Sequence, residues 1–398
     1  MKPVYLVHAQ RTPIGKLNGA LSDFRPDDLL AQLFSAHLKG IKYSPLEIDD
    51  IIVGCANQAG EDNRNVGRMS AVLAKLPFEV PATTINRLCG SSLDAVIDGW
   101  SRIQAGLAEC IWIGGVESMT RAPYALSKTS SPWGRDQKIY DTTFGWRFQN
   151  PKMEAMFPLF AMGETAEEVQ SQYKISREEQ DKFALASHQK AVAAWNNGAF
   201  ANEVLPVSIQ LKKETVTVEK DEGPRADTTL EKLAKLPAVF RKDGTVTAGN
   251  ASMMNDGASM GVLVSESFLK KHNLKPLVEI TGAGVRGVHP NVMGLGPIEA
   301  VKNLCTKFNK KVSDFDVFEL NEAFAVQVLA CMQSLEIDPA KTNLNGGAIS
   351  LGHPLGCSGM RILGTLTHIM QANKNLKQGL ATMCIGVGQG VAVSVKNC

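Results

Sequence analysis

The chain has few of the features that mark disulfide-stabilised, zinc-binding, nucleic-acid-binding or membrane proteins. It has eight cysteines in 398 residues and no Cys-x-x-Cys pair, so we expect no disulfide framework and no metal site. A net charge of +2 with scattered lysines and arginines argues against nucleic acid or an anionic membrane as a partner. No segment approaches the roughly 18 apolar residues of a membrane span, and no signal peptide is apparent. We expect a protein of the cytoplasm, or of an organelle matrix, that acts on small molecules.

Hydrophobic residues make up 44% of the sequence, enough for one large core or two moderate ones. At both ends of the chain, short apolar runs alternate with stretches of helical periodicity, which predicts an α/β fold. The predicted strands are 4–7, 51–55, 110–115, 277–281, 317–320 and 380–385, and the predicted helices are 27–38, 93–103, 297–308 and 362–370.

Two faint echoes suggest that the α/β pattern is duplicated. Segment 46–55 resembles 312–320, and segment 110–117 resembles 384–391. The region between the halves, 121–248, contains most of the aromatic, proline and charged residues that interrupt regular elements, so we interpret it as a long insertion. Insertions on a rigid scaffold commonly carry specificity.

Cys89 stands in the segment NRLCGSS, directly before the predicted helix 93–103. A thiol at a helix N-terminus meets free N–H groups and the positive end of the helix dipole, so we expect its thiolate to be favoured. The small residues that follow leave space for a substrate. An isolated cysteine is more often a buried core residue, and this is our interpretation of the cysteines at 55, 110, 305 and 331.

His353 lies in the glycine-rich segment GGAISLGHPLG. Pro354 disfavours the α conformation at His353 and the glycines permit a sharp loop, so the imidazole can be held at a fixed angle for acid–base work. A capping or loop histidine is the alternative. His37 and His188 fall in helical patterns and are interpreted as structural.

Polar or small residues also follow two of the predicted strands. Cys384 ends the strand 380–385 and precedes Gly386, whose N–H group can approach a ligand closely, as an oxyanion hole requires. Asn321 follows the strand 317–320, where its amide could hold a water, although a helix N-cap explains it equally well. The GxGxxG match at 282–287 lacks a continuing helix and a later acidic residue, so we reject a dinucleotide site.

Six segments together resemble the motifs of thiolases in order and spacing. They are NRLCGSSLDAV, GGVESMTRAP, AGNAS with NDGA, LNEAF, GGAISLGHPLG with SG, and CIGVGQG. The resemblance covers essentially the whole chain. It implies two βαβαβαββ halves stacked as a five-layered αβαβα sandwich, and assembly as a homodimer or homotetramer. The first half would span 1–120 and resume at 249–272, the inserted loop domain 121–248, and the second half 273–398.

The resemblance also implies roles. Cys89 is similar to the acylated nucleophile, His353 to the residue that activates it, and Cys384 to the second acid–base group. Asn321 would hold a water that faces the thioester oxygen, and the N–H groups of Cys89 and Gly386 would form a second oxyanion hole. These roles imply coenzyme A as co-substrate, CoA thioesters as partners and no permanently bound cofactor.

Two positions of the sequence match family contacts to coenzyme A, and two others depart from the family pattern. Arg225 and Ser252 match family positions that contact it. The chain departs from the family at Ser92 and Met253, each of which replaces a glycine. We expect Met253 to stand near the pantetheine path.

Two other readings of the fold compete with a thiolase. A ketoacyl synthase-like condensing enzyme would carry a second histidine where Cys384 stands. A non-catalytic acyl-CoA-binding relative would not need the four usable side chains that the catalytic positions retain.

The substrate is predicted less directly. The segments 139–151 and 383–388 resemble 3-oxoadipyl-CoA thiolases, while a general fatty-acid β-oxidation or acetoacetyl-CoA thiolase remains an alternative. A dicarboxylic acyl chain needs a cationic partner for its far carboxylate. Arg147, which lies among aromatic residues, is our candidate. An ion pair between Arg147 and Asp141 is the competing interpretation.

Overall fold

The computed structural model describes residues 2–398, which form fourteen strands and twelve α-helices. The strands are β1 (Val4–Arg11), β2 (Gly15–Lys16), β3 (Asp50–Gly54), β4 (Ala82–Ile85), β5 (Cys110–Ser118), β6 (Tyr124–Leu126), β7 (Ile139–Asp141), β8 (Val207–Gln210), β9 (Thr215–Val218), β10 (Asn255–Ser265), β11 (Val278–Gly287), β12 (Val317–Leu320), β13 (Gln378–Ile385) and β14 (Gln389–Asn397). The helices are α1 (Pro26–Leu38), α2 (Val66–Leu73), α3 (Ser91–Gln104), α4 (Pro151–Glu154), α5 (Met162–Tyr173), α6 (Arg177–Asn196), α7 (Leu230–Ala234), α8 (Glu266–Lys271), α9 (Gly296–Lys307), α10 (Ala325–Leu335), α11 (Ala348–Leu351) and α12 (Leu355–Ala372). Within these residues, no helix combines the length and the apolar character needed to cross a bilayer.

The main sheet runs in the order β4-β3-β5-β10-β1-β11-β14-β13-β12, with β2 attached to β10. In the first half β3 pairs in parallel with β4 and β5, and β10 pairs antiparallel with β5 and β1. The second half repeats these senses, because β12 is parallel to β13 while β14 is antiparallel to β13 and β11. The halves join edge to edge where β1 contacts β11 through two residue pairs. The duplicated architecture is therefore confirmed, with one continuous sheet rather than two separate ones.

A pair of aspartates shows how closely the halves correspond. Asp49 precedes β3 and accepts hydrogen bonds from two successive N–H groups at the start of β5, at 2.7 and 3.0 Å. Asp316 precedes β12 and accepts the same pair at the start of β13, at 2.7 and 2.9 Å. Cys110 and Gln378, the second donors of the two pairs, are therefore equivalent positions.

This equivalence corrects one of the two sequence echoes. The echo between 46–55 and 312–320 joins corresponding strands, β3 and β12. The echo between 110–117 and 384–391 is wrong in register, because Cys110 corresponds to Gln378 and not to Cys384. Similar apolar and glycine-rich composition at the end of β13 produced the false match.

The helices complete five layers. In the middle, α3 and α12 pack on each other and on both halves of the sheet. Their shared core includes side chains from α3, α12, β5 and β13, such as Val96, Leu363, Ile113 and Met383. On the outside, α1 and α2 cover the first half of the sheet, and α9 and α10 cover the second. This is the expected αβαβα order.

The predicted elements of both halves are present, with one clear error at α12. The sequence predicted a helix from 362, but α12 begins at Leu355, directly after His353 and Pro354. Glycines hide the apolar periodicity there, and they are needed for close packing. A Cβ atom at Gly359 would overlap the backbone of Leu93 in α3. The glycine-rich segment that contains His353 is therefore followed at once by α12.

The region 121–248 contributes the hairpins β6–β7 and β8–β9 and the helices α4–α7. The buried guanidinium of Arg11 in β1 fixes it to the first half by forming ion pairs with Glu203 and Asp221. The division of the chain at 121 and 248 stays a prediction. The rejected GxGxxG segment is part of β11, where Gly284 lets the strand lie against the backbone of α9.

The fold depends on a close contact that a single methyl group should test. At Gly115 of β5 a Cβ atom would overlap the carbonyl oxygen of Gly356 and lie 2.5 Å from the Cβ of Ser92. Gly115→Ala should lower the free energy of unfolding by at least about 2 kcal/mol. Gly364→Ala in α12 is the matched control, because its new Cβ would meet only atoms at 3.7 Å or more and should raise stability by up to about 1 kcal/mol. Chemical denaturation measures both; equal effects would contradict this account of the central layer.

Candidate active site

Cys89 lies in the tight turn between β4 and α3. Leu88 adopts a left-handed conformation with φ of 46°, and Gly90 caps the helix. A Cβ atom at Gly90 would lie 2.6 Å from the Ile385 side chain of β13, so the start of α3 packs directly against the end of that strand. The turn from the first half is thereby placed beside Cys384 from the second.

One cavity of about 530 Å³ brings the predicted chemical groups together. Four of the predicted catalytic residues line it: Cys89, His353, Cys384 and Gly386. Ser252, predicted to contact coenzyme A, is on the same wall. The remaining wall is largely apolar and rich in methionine, and includes Met119, Phe144, Met162, Phe240, Met253, Met254, Met293 and Phe324.

The electrostatics of Cys89 correct one expectation. Burial raises the pKa of the Cys89 thiol to about 11, and the N–H groups of Gly386 and of Cys89 itself offset this only in part. Desolvation therefore outweighs the two N–H groups, and the thiol rather than the expected thiolate is the favoured form at rest. The same two N–H groups lie close enough to the sulfur to lower its pKa, and their role as an oxyanion hole stays a prediction.

Cys384 is the penultimate residue of β13 and is almost completely buried. Burial raises the pKa of its thiol well above the ordinary value, and the neighbouring Cys89 raises it further. After Cys384 the chain reverses through Val387 and Gly388, with φ of 62° and 80°. This turn directs the Gly386 N–H group towards Cys89.

His353 is fixed at its backbone and at one ring nitrogen. Its N–H group donates to Asn255 Oδ1 at 2.9 Å. Its Nδ1 lies 2.6 Å from Ser358 Oγ, and that hydroxyl donates its own proton to the Pro354 carbonyl at 2.8 Å. Ser358 must then accept from Nδ1–H, which leaves Nε2 unprotonated. Nε2 is therefore the nitrogen able to take a proton.

Asn321 contacts the imidazole rather than lining the cavity wall itself. Its Nδ2 lies 3.5 Å from His353 Nε2, and its Oδ1 accepts from Arg361 at 3.3 Å. Burial, and then the charge of Arg361, lower the pKa of His353 to about 3. The histidine is thus neutral, and its position next to Asn321 is the arrangement expected from the motifs. The predicted water on Asn321 stays a prediction.

Several positioning residues escaped the sequence reasoning. Ser358 and Asn255 hold His353, although both lie in the motifs that carried the resemblance. The buried carboxylate of Glu322 accepts from Ser187, Asn343 and the Ile349 N–H group at 2.6–3.1 Å, and so fixes the loop before His353. The partners of Asn255 and Glu322 are more than 20 residues away in sequence, so spacing alone could not reveal these two, whereas Ser358 is only five residues from His353.

Glu117 of β5 is, after Glu322, a second buried carboxyl group that fixes loops near the site and that the sequence did not reveal. Its carboxyl group accepts from the N–H groups of Ala56, Asn57 and Gly356 at 2.8–3.0 Å. Burial raises its pKa to about 7 despite these bonds. Glu117 therefore ties the loop after β3 to the start of α12, next to His353.

A smaller cavity of about 140 Å³ adjoins the first, and both are lined by Met253 and Ala248. Arg225 lies on the smaller cavity, separate from Ser252 on the larger one. The Arg225 N–H group donates to His188 Nδ1 at 3.2 Å, so His188 supports this segment and is not only a core residue. The sulfur of Met253 lies 3.9 Å from the Arg225 guanidinium, which places this departure between the two cavities.

Arg147 lines a third cavity, of about 260 Å³, which also includes Cys89 and Gly386. Its guanidinium contacts only the Thr142 carbonyl, at 3.4 Å, among the hydrogen bonds of the described residues. The alternative ion pair with Asp141 does not form, and the Asp141 carboxylate accepts from the Thr143 N–H group. A free guanidinium therefore shares a cavity with the nucleophile.

Ser92, the other departure, is accommodated within the central layer. It is completely buried and its hydroxyl accepts from the Met360 N–H group of α12 at 2.9 Å. The contact joins α3 to α12. Cys305, in contrast, is half-buried rather than a core residue.

A thiol, an unprotonated imidazole nitrogen and a second thiol around one cavity of an α/β scaffold define a cysteine-dependent acyltransferase. The chain belongs to the thiolase family. Residues 4–267 match the family model for the thiolase N-terminal domain, and residues 274–397 match that for the C-terminal domain.

The chain is similar over its whole length to curated bacterial proteins. It is 51% identical to the beta-ketoadipyl-CoA thiolase of Pseudomonas knackmussii, with 99% of each chain covered. It is 50% identical to that of Acinetobacter baylyi, with 100% of each covered. It is 47% identical, over 99% of each chain, to the 3-oxoadipyl-CoA/3-oxo-5,6-dehydrosuberyl-CoA thiolase of Escherichia coli.

Solved structures show the same fold. The acetyl-CoA acetyltransferase of Bacillus anthracis superimposes with a TM-score of 0.93 at 39% identity, covering 100% of this chain and 99% of that one. The human mitochondrial 3-ketoacyl-CoA thiolase in complex with CoA gives 0.92 at 42% identity, covering 100% and 98%. The thiolase fold and the acyltransferase class predicted from the motifs are confirmed.

The raised pKa of Cys89 predicts how the free enzyme reacts with iodoacetamide. A group whose pKa is about 11 is a thiol at neutral pH, so alkylation of Cys89 should rise with pH across the range from roughly 6 to 9 without a plateau. Peptide mass spectrometry measures the rate at this cysteine, and Cys89→Ala gives the background. A plateau below about pH 8 would instead indicate a preformed thiolate–imidazolium pair.

Proposed function

We propose that this thiolase cleaves 3-oxoadipyl-CoA with coenzyme A, giving acetyl-CoA and succinyl-CoA, or runs the reverse condensation. The observation that carries the choice of substrate is Arg147, an arginine without an acidic partner in the cavity that contains Cys89. The names of relatives about half identical to this chain support the same substrate class.

In the first half-reaction the Cys89 proton passes to His353 Nε2 and the thiolate attacks the 3-oxo carbon. The C2–C3 bond then breaks and its electron pair forms the enolate of acetyl-CoA. Cys384 protonates C2 of that enolate. The acyl group remains on Cys89 as a thioester. The reacting groups are neutral at rest, and after this half-reaction the positive charge on protonated His353 is balanced by the negative charge on the Cys384 thiolate.

In the second half-reaction, coenzyme A gives its thiol proton to Cys384 and its sulfur attacks the acyl-Cys89 carbonyl. Cys89 leaves and regains its proton from His353. The N–H groups of Cys89 and Gly386 stabilise the oxyanion of the acyl-enzyme, a role supported by their lowering effect on the pKa of the Cys89 thiol. His353 and a water on Asn321 would face the thioester oxygen that becomes the enolate.

Coenzyme A enters as co-substrate, with no permanently bound cofactor proposed. The adjoining cavities support a path in which its thiol end lies beside Cys89 and Ser252 while its charged end reaches Arg225. Met253 stands between these two places. The partners are therefore CoA thioesters.

The distal carboxylate of the acyl chain would bind Arg147. The guanidinium is half-buried, and a carboxylate taken out of water without a partner would cost several kcal/mol. Arginine can meet a carboxylate with two parallel hydrogen bonds. Its weak contact with Thr142 leaves other donors free to do so.

We also propose a homodimer or homotetramer in a cytoplasmic setting. The strand β4 lies at the end of the main sheet, and a free strand edge offers backbone groups to a second copy. The bacterial origin of the similar curated proteins supports a cytoplasmic setting.

Measuring the two half-reactions separately should distinguish the roles of Cys89 and Cys384. Cys384→Ala is expected to accept an acyl group on Cys89 from a simple thioester, while cleavage of the carbon–carbon bond falls at least about a hundredfold, the usual scale of acid–base catalysis. Mass spectrometry locates the acyl group, and Cys89→Ser should show none. Equal loss of acylation and cleavage in Cys384→Ala, or acylation at another cysteine, would overturn these roles.

Arg147→Ala tests the substrate. We expect KM for 3-oxoadipyl-CoA to rise at least about tenfold while acetoacetyl-CoA changes less than about twofold, because only the dicarboxylic chain presents the charge. Arg147→Lys should recover part of the loss, and Arg135→Ala, an exposed arginine of the same region, is the matched control. Equal changes for both substrates would make Arg147 structural and leave a general 3-oxoacyl-CoA thiolase.

A further inference from the structure

Arg361 of α12 is a buried arginine that touches the site without lining it. It is 1% exposed, and its Nη2 donates to Asn321 Oδ1 at 3.3 Å. Its Nη1 lies 3.6 Å from Glu319 Oε2. The Nε and Nη1 groups have no hydrogen-bond partner within the described chain. Burying a guanidinium with incomplete pairing is costly, so its contact with Asn321 calls for a functional explanation.

The hydrogen bonds from Arg361 all run in one direction. Arg361 donates to Asn321 Oδ1, which turns the Asn321 Nδ2 group towards His353 Nε2. His353 donates through Nδ1 to Ser358, and Ser358 donates to the Pro354 carbonyl. A guanidinium can only donate and a carbonyl can only accept. The two ends of the chain therefore fix the direction of every bond between them.

We propose that Arg361 is a positioning residue that sets the orientation of the Asn321 amide and thereby supports, from the Nε2 side, the His353 tautomer that Ser358 selects from the Nδ1 side. This inference rests on the proposed roles of Cys89 and His353. Without Arg361 the amide could rotate and present its oxygen to the ring. That orientation favours a proton on Nε2, where it would block transfer from Cys89.

Neighbouring charges do not substitute for Arg361. The Glu319 carboxyl group can accept a hydrogen bond but is next to Arg361, not next to the amide, and burial raises its pKa to about 8. The other buried acid close by, Glu322, is engaged by Ser187, Asn343 and a backbone N–H group. In this part of the described structure, Arg361 is the group that contacts Asn321 Oδ1.

The test is a double-mutant cycle on the acylation of Cys89, followed as single-turnover transfer from a simple acyl-CoA. Arg361→Met should lower the acylation rate about tenfold to a hundredfold, with KM changed less than about twofold. The acid limb of the rate–pH profile should move to higher pH, because the charge of Arg361 helps to keep His353 neutral. In an Asn321→Ala background the same change should cost less than about twofold. Arg102→Met, which removes an arginine of α3 that pairs with Asp50 and Asp98, is the control.

If Arg361→Met does not fold, Arg361→Lys can replace it in the same cycle. Lysine retains the cation but not the planar guanidinium, so the acylation rate should fall while the acid limb of the rate–pH profile stays in place. In the Asn321→Ala background, Arg361→Lys should cause no further loss of rate. Losses that add to that of Asn321→Ala, or an unchanged acid limb in a folded Arg361→Met, would overturn the inference. A fully active Asn321→Ala enzyme, or one acylated away from Cys89, would instead overturn the proposed function.

Discussion

The site depends on how closely the two central helices approach both halves of the sheet. A Cβ atom at Gly54 would overlap the backbone of Ser92, and one at Gly90 would overlap Ile385. These contacts place the start of α3 against the end of β13. Cys89 belongs to one half of the duplicated fold and Cys384 to the other, so neither half alone contains the pair. Tight packing in the middle layer is what assembles the chemistry.

The same packing removes water and keeps the reacting groups neutral. Burial raises the pKa of both thiols and lowers that of His353. A neutral site loses the reactivity of a preformed thiolate. In return, each N–H group that faces a developing oxyanion stabilises it more strongly, because hydrogen-bond donors act more strongly in a poorly solvated cavity. The apolar, methionine-rich wall is thus part of the catalytic design.

Much of the fold and the identity of the chemical groups could be predicted from the sequence, because apolar periodicity and glycine-rich turns are local signals. The start of α12 and the register of the second echo could not. In both places glycine replaced the apolar residues that mark an element, for reasons of packing against distant backbone. The charge state of Cys89 was predicted wrongly for a related reason. A helix N-terminus is visible in sequence, whereas the desolvation that outweighs it comes from residues hundreds of positions away, such as Cys384 and Phe324.

The proposed reacting groups belong to the scaffold, and the residues proposed to recognise the substrate belong mainly to the insertion. Cys89, His353 and Cys384 come from the two halves, and all are neutral. Arg225 and Arg147 come from the region 121–248 and lie on cavities either side of the reaction centre. Under the proposed roles, Arg147 and Arg225 would hold the anionic ends of a substrate, while the three reacting groups are neutral at rest. Because both arginines belong to the insertion, its loops could change which ends are recognised without altering the scaffold residues.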